Sequence, residues 1–81
     1  MNRLSDKIAI VTGGARGIGR AICEAFAEEG AWVLVTDIDG DNAEETAAVI
    51  RSRGGRAEAC RVDIGSPSEI EHAVKIVSDR F

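Results

Sequence analysis

Val11-Thr12-Gly13-Gly14-Ala15-Arg16-Gly17-Ile18-Gly19 joins two stretches of different hydrophobic period. Before it, Ile8-Ala9-Ile10-Val11 is a short unbroken apolar run, the pattern of a strand covered on both faces. After it, Ile18, Ala21, Ile22, Ala25 and Phe26 recur at three and four residues, which is one face of a helix. Arg20, Glu24 and Glu28 take the opposite face. The glycines therefore form a turn from strand to helix. Gly13 permits positive φ where a Cβ would clash, and Gly17 lets backbone approach a ligand closely. Gly19 is expected to let the helix pack against the sheet.

Outward from this turn the period keeps switching at punctuation residues. Gly30 is placed to end the first helix, and Trp32-Val33-Leu34-Val35 is a second apolar strand. The acidic Asp37-Ile38-Asp39-Gly40-Asp41 suits a helix start, with Ala43, Ala47 and Ile50 as that helix's apolar stripe and Gly54-Gly55 as its end. Glu44 and Glu45 favour the positive N-terminal end of the same helix. Ala57 to Val62 alternates small or apolar with charged residues, as an edge strand does. Ser66-Pro67-Ser68-Glu69 predicts a capping box with proline at the first helical position. Ile70, Ala73, Val74, Val77 and Phe81 then carry the helical period to the last residue.

Strand, helix, strand, helix, strand, helix implies an α/β chain with a parallel sheet in strand order 3-2-1. Both complete crossovers put their helices on one face. Ile8–Val11 then takes the inner position, with its other edge expected to receive a fourth strand not found in these residues.

A glycine-rich turn gains meaning from its setting. Here it links strand to helix, and Asp37 ends the second strand 18 residues after Gly19, near the spacing of about 20 expected for a ribose-binding acid. Free N–H groups near Gly17 and Ile18, aided by the helix dipole, suit a pyrophosphate. A structural glycine turn without ligand is the competing reading. A carboxylate at Asp37 accepts from ribose hydroxyls and repels a 2′-phosphate, so NAD is expected over NADP. Asp37 as a mere helix-start acid is the alternative, a role that Asp39 and Asp41 fill better.

The Thr12-Gly13-Gly14-Ala15-Arg16-Gly17-Ile18-Gly19 spacing resembles the cofactor motif of the short-chain dehydrogenase/reductase family. The resemblance runs from Lys7 through Gly30-Ala31 to Val62-Asp63-Ile64. It implies a Rossmann-type, doubly wound fold and hydride transfer between NAD and a small alcohol or ketone. It also implies that Asp63 accepts from the adenine amino group, that the Ile64 N–H meets a ring nitrogen, and that Ile38 flanks the adenine plane. Arg16 occupies a position where NADP-using members often carry a basic residue, and it can contact phosphate or ribose. The cofactor-binding set is thus Gly13, Arg16, Gly17, Ile18, Gly19, Asp37, Ile38, Asp63 and Ile64.

The family's proton relay needs a Tyr, a Lys and a Ser, and this sequence has no Tyr. The family's Asn-Asn-Ala-Gly segment is absent too. Residues 1–81 are accordingly expected to be the N-terminal part of a single dinucleotide-binding domain, cut before its catalytic half. By themselves they are expected to be inactive and marginally stable; the longer protein is expected to be a homo-oligomer acting on a small-molecule substrate. A catalytically inactive nucleotide-binding or assembly module is the alternative.

Bulk properties are those of one small domain of 81 residues. A net charge of −4 opposes non-specific nucleic-acid binding. No apolar run approaches the roughly 20 residues of a membrane span. Met1 to Lys7 mix charges with single apolar residues, unlike a signal peptide, so the cytoplasm is the expected location. Cys23 and Cys60 are read as reduced, partly buried thiols. No metal site is expected: His72 has no partner at helical spacing, and the acids from Asp37 to Glu45 lack a calcium-loop pattern.

Overall fold

Six elements follow one another: β1 (Ile8–Thr12), α1 (Gly17–Glu28), β2 (Trp32–Asp37), α2 (Gly40–Ser52), β3 (Arg56–Arg61) and α3 (Pro67–Arg80). The structure is a computed structural model, and it describes residues 4–81. The reading of Met1 to Lys7 falls in part on Met1, Asn2 and Arg3, outside the described residues.

The three strands pair in parallel in the order β1-β2-β3, the expected 3-2-1 arrangement. Thr12 lies opposite Thr36, and Asp37 opposite Arg61, so all three strands deliver their C-terminal ends to one edge. That edge carries the glycine turn, the β2–α2 turn and the β3–α3 turn.

β2, the central strand among the described residues, is buried on both faces because α1 and α2 pack on one and α3 on the other. Val33 and Val35 enter one core with Val11, Cys23, Ala43, Ala47, Ile50 and Ala57. Trp32 and Leu34 enter a second core with Val62 and Ala73. α1 and α2 thus cover one face and α3 the other, which is the doubly wound arrangement. Each fully buried Val or Leu stabilises by about 1.5–3 kcal/mol relative to exposure. The α2 stripe of Ala43, Ala47 and Ile50 is buried as expected, with Thr46 added to it.

β1 departs from its pattern. Val11 is buried on the α1 side, but Ile8 and Ile10 are exposed on the other. An apolar run reports that a strand tolerates cover on both faces, whereas α3 crosses over β2 and β3 and leaves half of β1 open. Ile70 and Val74 of α3 are likewise exposed, lining an apolar groove with Ile10, Val62 and Ala73.

α1 is the larger correction. Ile18, Ala21, Ile22, Ala25 and Phe26, the stripe expected to face the core, are all exposed. The helix instead buries Cys23 completely, flanked by half-buried Gly19 and Ala27. Close packing is achieved by its smallest side chains. A Cβ on Gly14 would stand 2.8 Å from Val35 Cγ1 and 3.0 Å from Cys23 Sγ, so Gly14 is what lets helix and sheet meet. The supposedly outer charged face turns towards α2: Arg20 pairs with Glu24 at 2.9 Å, and Arg53, which caps α2, pairs with Glu24 at 2.8 Å.

The capping box before α3 does not form. Ser66 is the N-cap and Pro67 opens the helix, but the Ser66 side chain makes no cap bond. Glu69 Oε1 reaches further back, accepting from the Asp63 N–H at 3.0 Å and from Arg61 Nη1 at 3.2 Å. A residue that the sequence assigns to its own helix end therefore ties the helix to the end of β3. At the other end of α3, Phe81 meets Trp32 edge-on, with ring centroids 5.2 Å apart.

Both cysteines are free. Burial drives the Cys23 thiol up to about 11, and burial also raises Cys60, which is less enclosed. The reactive species is the thiolate. Peptide mapping after alkylation of the folded longer protein near neutral pH is expected to find Cys60 labelled slowly and Cys23 untouched until denaturant is added. Equal labelling of the two would contradict this packing of α1.

Candidate cofactor site

The site is assembled on the C-terminal edge of the sheet, where β1 ends in the glycine turn. Gly13 and Gly17 sit at φ 66° and 61°, a region that side chains rarely adopt, and a Cβ on either would meet no protein atom within 4 Å. The turn is thus open on the outside at both positions. Gly19 does something different from its expected role. A Cβ there would lie 1.9 Å from the Gly13 carbonyl oxygen, so Gly19 fits the helix against the turn's own backbone rather than the sheet.

α1 begins at Gly17 with Arg16 as N-cap; Arg16 supplies no side-chain cap bond, and no acid stands in the first turn. Its first N–H groups lack the capping oxygen that Asp39 gives to α2, and the dipole there favours an anion.

Asp37 joins the turn to the end of β2. Its Oδ2 accepts from the Ala15 N–H at 3.1 Å and its Oδ1 from the Asp39 N–H at 3.0 Å. The Asp39 N–H, then the Ala15 N–H and the Arg16 charge, hold its carboxyl below the usual range against an opposing effect of partial burial. Asp37 is therefore ionised at neutral pH. Its carbonyl accepts from the Val62 N–H at 2.9 Å, which brings the β3 end and Asp63 alongside. The Asp63 carboxylate accepts from the Gly65 N–H at 2.9 Å.

Three isoleucines around this edge are exposed to an extent unusual for their size: Ile18 by 82%, Ile38 by 59% and Ile64 by 69%. Ile64 shares a groove with Thr12 and Thr36. Open glycine positions, an uncapped helix start, an ionised acid and apolar side chains on one edge suit a ligand that is anionic at one end and flat and apolar at the other. The residues present fit a dinucleotide on those grounds.

Two supports escaped the sequence reading. The fully buried Thr46 donates from Oγ1 to the Ala15 carbonyl at 3.3 Å, and Thr36 Oγ1 donates to the Val11 carbonyl at 2.8 Å. Both hold the ends of the glycine turn. Thr46 was discoverable from its place three residues after Ala43, on the same helical face.

Among the described residues, no group of three or more His, Cys, Asp or Glu is placed to hold a metal ion. No described helix is long and apolar enough to cross a membrane.

Comparison with known proteins gives a consistent result. The chain is 45% identical over its full 81 residues to YxbG of Bacillus subtilis, an uncharacterized oxidoreductase, of which it covers 28%. It is 43% identical to galactitol 2-dehydrogenase of Agrobacterium fabrum, over 98% of this chain and 30% of that protein. The crystal structure of a hydroxysteroid dehydrogenase from Escherichia coli superposes with a TM-score of 0.93 at 41% identity, over 96% of this chain and 33% of the other. The chain thus spans about three-tenths of the length of these curated relatives. The family profile described as short chain dehydrogenase matches residues 7–81. Members of that family use nicotinamide dinucleotide cofactors and act on small-molecule substrates. With the parallel sheet, the glycine turn and the profile in agreement, this chain belongs to the short-chain dehydrogenase/reductase family of oxidoreductases.

Proposed function

We propose that residues 1–81 form the cofactor-binding part of a larger dinucleotide-binding domain, and that the cofactor is NAD. The observation that carries this reading is Asp37. An ionised carboxylate stands at the end of β2, anchored to the glycine turn through the Ala15 N–H. A fixed negative charge there accepts from ribose hydroxyls and repels a 2′-phosphate. Gly13, Gly17, Ile18 and Gly19 would shape and present the pyrophosphate site, with Arg16 at its rim. Ile38, Asp63 and Ile64 would bound the adenine.

When bound, NAD supplies a nicotinamide ring that carries hydride to or from a carbon bearing oxygen. This chain's residues bind and orient the adenosine half and exclude the phosphorylated cofactor. Proton transfer belongs to other parts of the longer protein, since no Tyr occurs here. The relatives' names, one for galactitol and one for a hydroxysteroid, support a hydroxyl-bearing small molecule or its ketone as substrate. The binding-only alternative draws no support from relatives named as oxidoreductases and dehydrogenases.

Asp37→Ser in the longer protein tests the cofactor choice. Loss of hydrogen bonds to a charged acceptor should weaken NAD by about 1.5–3 kcal/mol, while NADP binding improves. Serine also loosens the Ala15 anchor, so the NAD/NADP affinity ratio is the quantity to read. A wild type that already prefers NADP would overturn the reading.

A further inference from the structure

Resting on the NAD reading above, we infer that Asp39 is a specificity-determining residue that works by holding Arg16 away from a 2′-phosphate. Arg16 Nη2 and Asp39 Oδ2 are 3.3 Å apart. The two partners are not equally fixed. Asp39 Oδ1 accepts from the Asn42 N–H at 3.1 Å, its Oδ2 from Asn42 Nδ2 at 2.6 Å, and its own N–H is bonded to Asp37 Oδ1. Arg16 has its side chain 76% exposed against 37% for Asp39. The carboxylate is built into the start of α2, and the guanidinium is the more exposed member of the pair.

The charges around the Asp37 carboxylate follow from this arrangement. Asp37, Asp39 and Arg16 together carry one net negative charge, and their single cation is already engaged. The next arginines are engaged as well: Arg20 pairs with Glu24 and with Glu45, and Arg61 with Glu69. An incoming 2′-phosphate meets the Asp37 carboxylate and must take Arg16 from Asp39. A 2′-hydroxyl has no such requirement. Asp39 therefore adds to the discrimination of Asp37 without needing to touch the cofactor, and it explains how a basic residue at position 16 coexists with NAD preference. The ion pair is exposed, so its contribution is modest and can be reversed by substitution.

Asp39→Asn is the informative variant, because asparagine is an equally good N-cap and keeps an acceptor for the Asn42 N–H. Binding of 2′,5′-ADP and of 5′-ADP to the longer protein is measured by calorimetry for wild type, Asp39→Asn, and Asp39→Asn combined with Arg16→Ala. Asp39→Asn is expected to tighten 2′,5′-ADP by roughly three- to tenfold, with a clearly smaller change for 5′-ADP and an unchanged thermal midpoint. Adding Arg16→Ala should erase the gain. Unchanged 2′,5′-ADP binding, an equal gain for 5′-ADP, or a gain that survives Arg16→Ala would each overturn the role of Asp39. Asp37→Ser separates the two readings. If it admits 2′,5′-ADP while Asp39→Asn does not, the Asp39 inference fails and the NAD reading stands. If wild type already binds 2′,5′-ADP more tightly than 5′-ADP, both fail.

Discussion

Gly19→Ala is expected to be among the most damaging single-methyl changes available in this chain. The added Cβ would fall 1.9 Å from the Gly13 carbonyl oxygen and 2.7 Å from its carbon. Both obstacles are backbone, so no side chain can swing aside. Either α1 lifts from the turn or the turn is displaced, and each movement disturbs a tight neighbourhood. Thr36 Oγ1 holds the Val11 carbonyl, and Thr46 Oγ1 holds that of Ala15. Overpacking of a well-packed site costs about 1–3 kcal/mol, and a clash with unyielding backbone belongs at or above the top of that range. Urea unfolding of the longer protein should show the midpoint falling with unchanged slope, and NAD binding should fall with it. A wild-type midpoint would mean that α1 does not approach the turn this closely.

Gly17→Val is expected to separate binding from folding. The position has φ 61°, so a β-branched residue is strained there by about 1–3 kcal/mol. Yet a Cβ would meet no protein atom within 4 Å, so nothing in the fold is displaced. The new side chain projects from the outside of the turn, where close approach of a pyrophosphate needs bare backbone. Loss of NAD affinity on the order of a hundredfold, about 2.8 kcal/mol, is expected while the protein stays folded. Affinity and unfolding midpoint measured on one preparation give the contrast with Gly19→Ala. Gly17→Val lowers the midpoint only by its backbone strain and loses affinity in the fraction that remains folded, whereas Gly19→Ala lowers the midpoint through a clash inside the fold. If Gly17→Val bound NAD normally, the phosphate-turn assignment would be wrong.

These two glycines show how unevenly the site was legible. Gly13 is readable in sequence because a tight turn out of a strand needs positive φ, a local requirement; Gly17 is read there only as a place of close approach, and its φ of 61° is a finding of the structure. The helix-to-sheet packing expected of Gly19 falls instead to Gly14, to which the sequence reading assigns no role. Gly14 sets the distance from α1 to β2, and Gly19 the distance from α1 to the turn. Spacing alone cannot say which backbone a given glycine will face. Asp37 was identifiable from its distance to the turn, but its bond to Ala15 needed the two ends to be brought together.

The order of elements, the parallel 3-2-1 sheet, the helix ends at Gly30 and Gly54 and the α2 stripe follow from residues close in sequence. Periodicity and turn chemistry act over one or two turns of chain, so the amino-acid sequence determines them without knowledge of neighbours. The orientation of α1, the open face of β1 and the partner of Glu69 were decided by the tertiary structure. In each case the outcome is a competition between surfaces distant in sequence. Small Cys23 and Gly19 give closer packing than the larger Ile22 and Phe26, and the Asp63 N–H captures the carboxylate that a capping box would have kept. Such choices depend on which groups the completed fold places within about 3–4 Å of one another, and no local pattern encodes that distance.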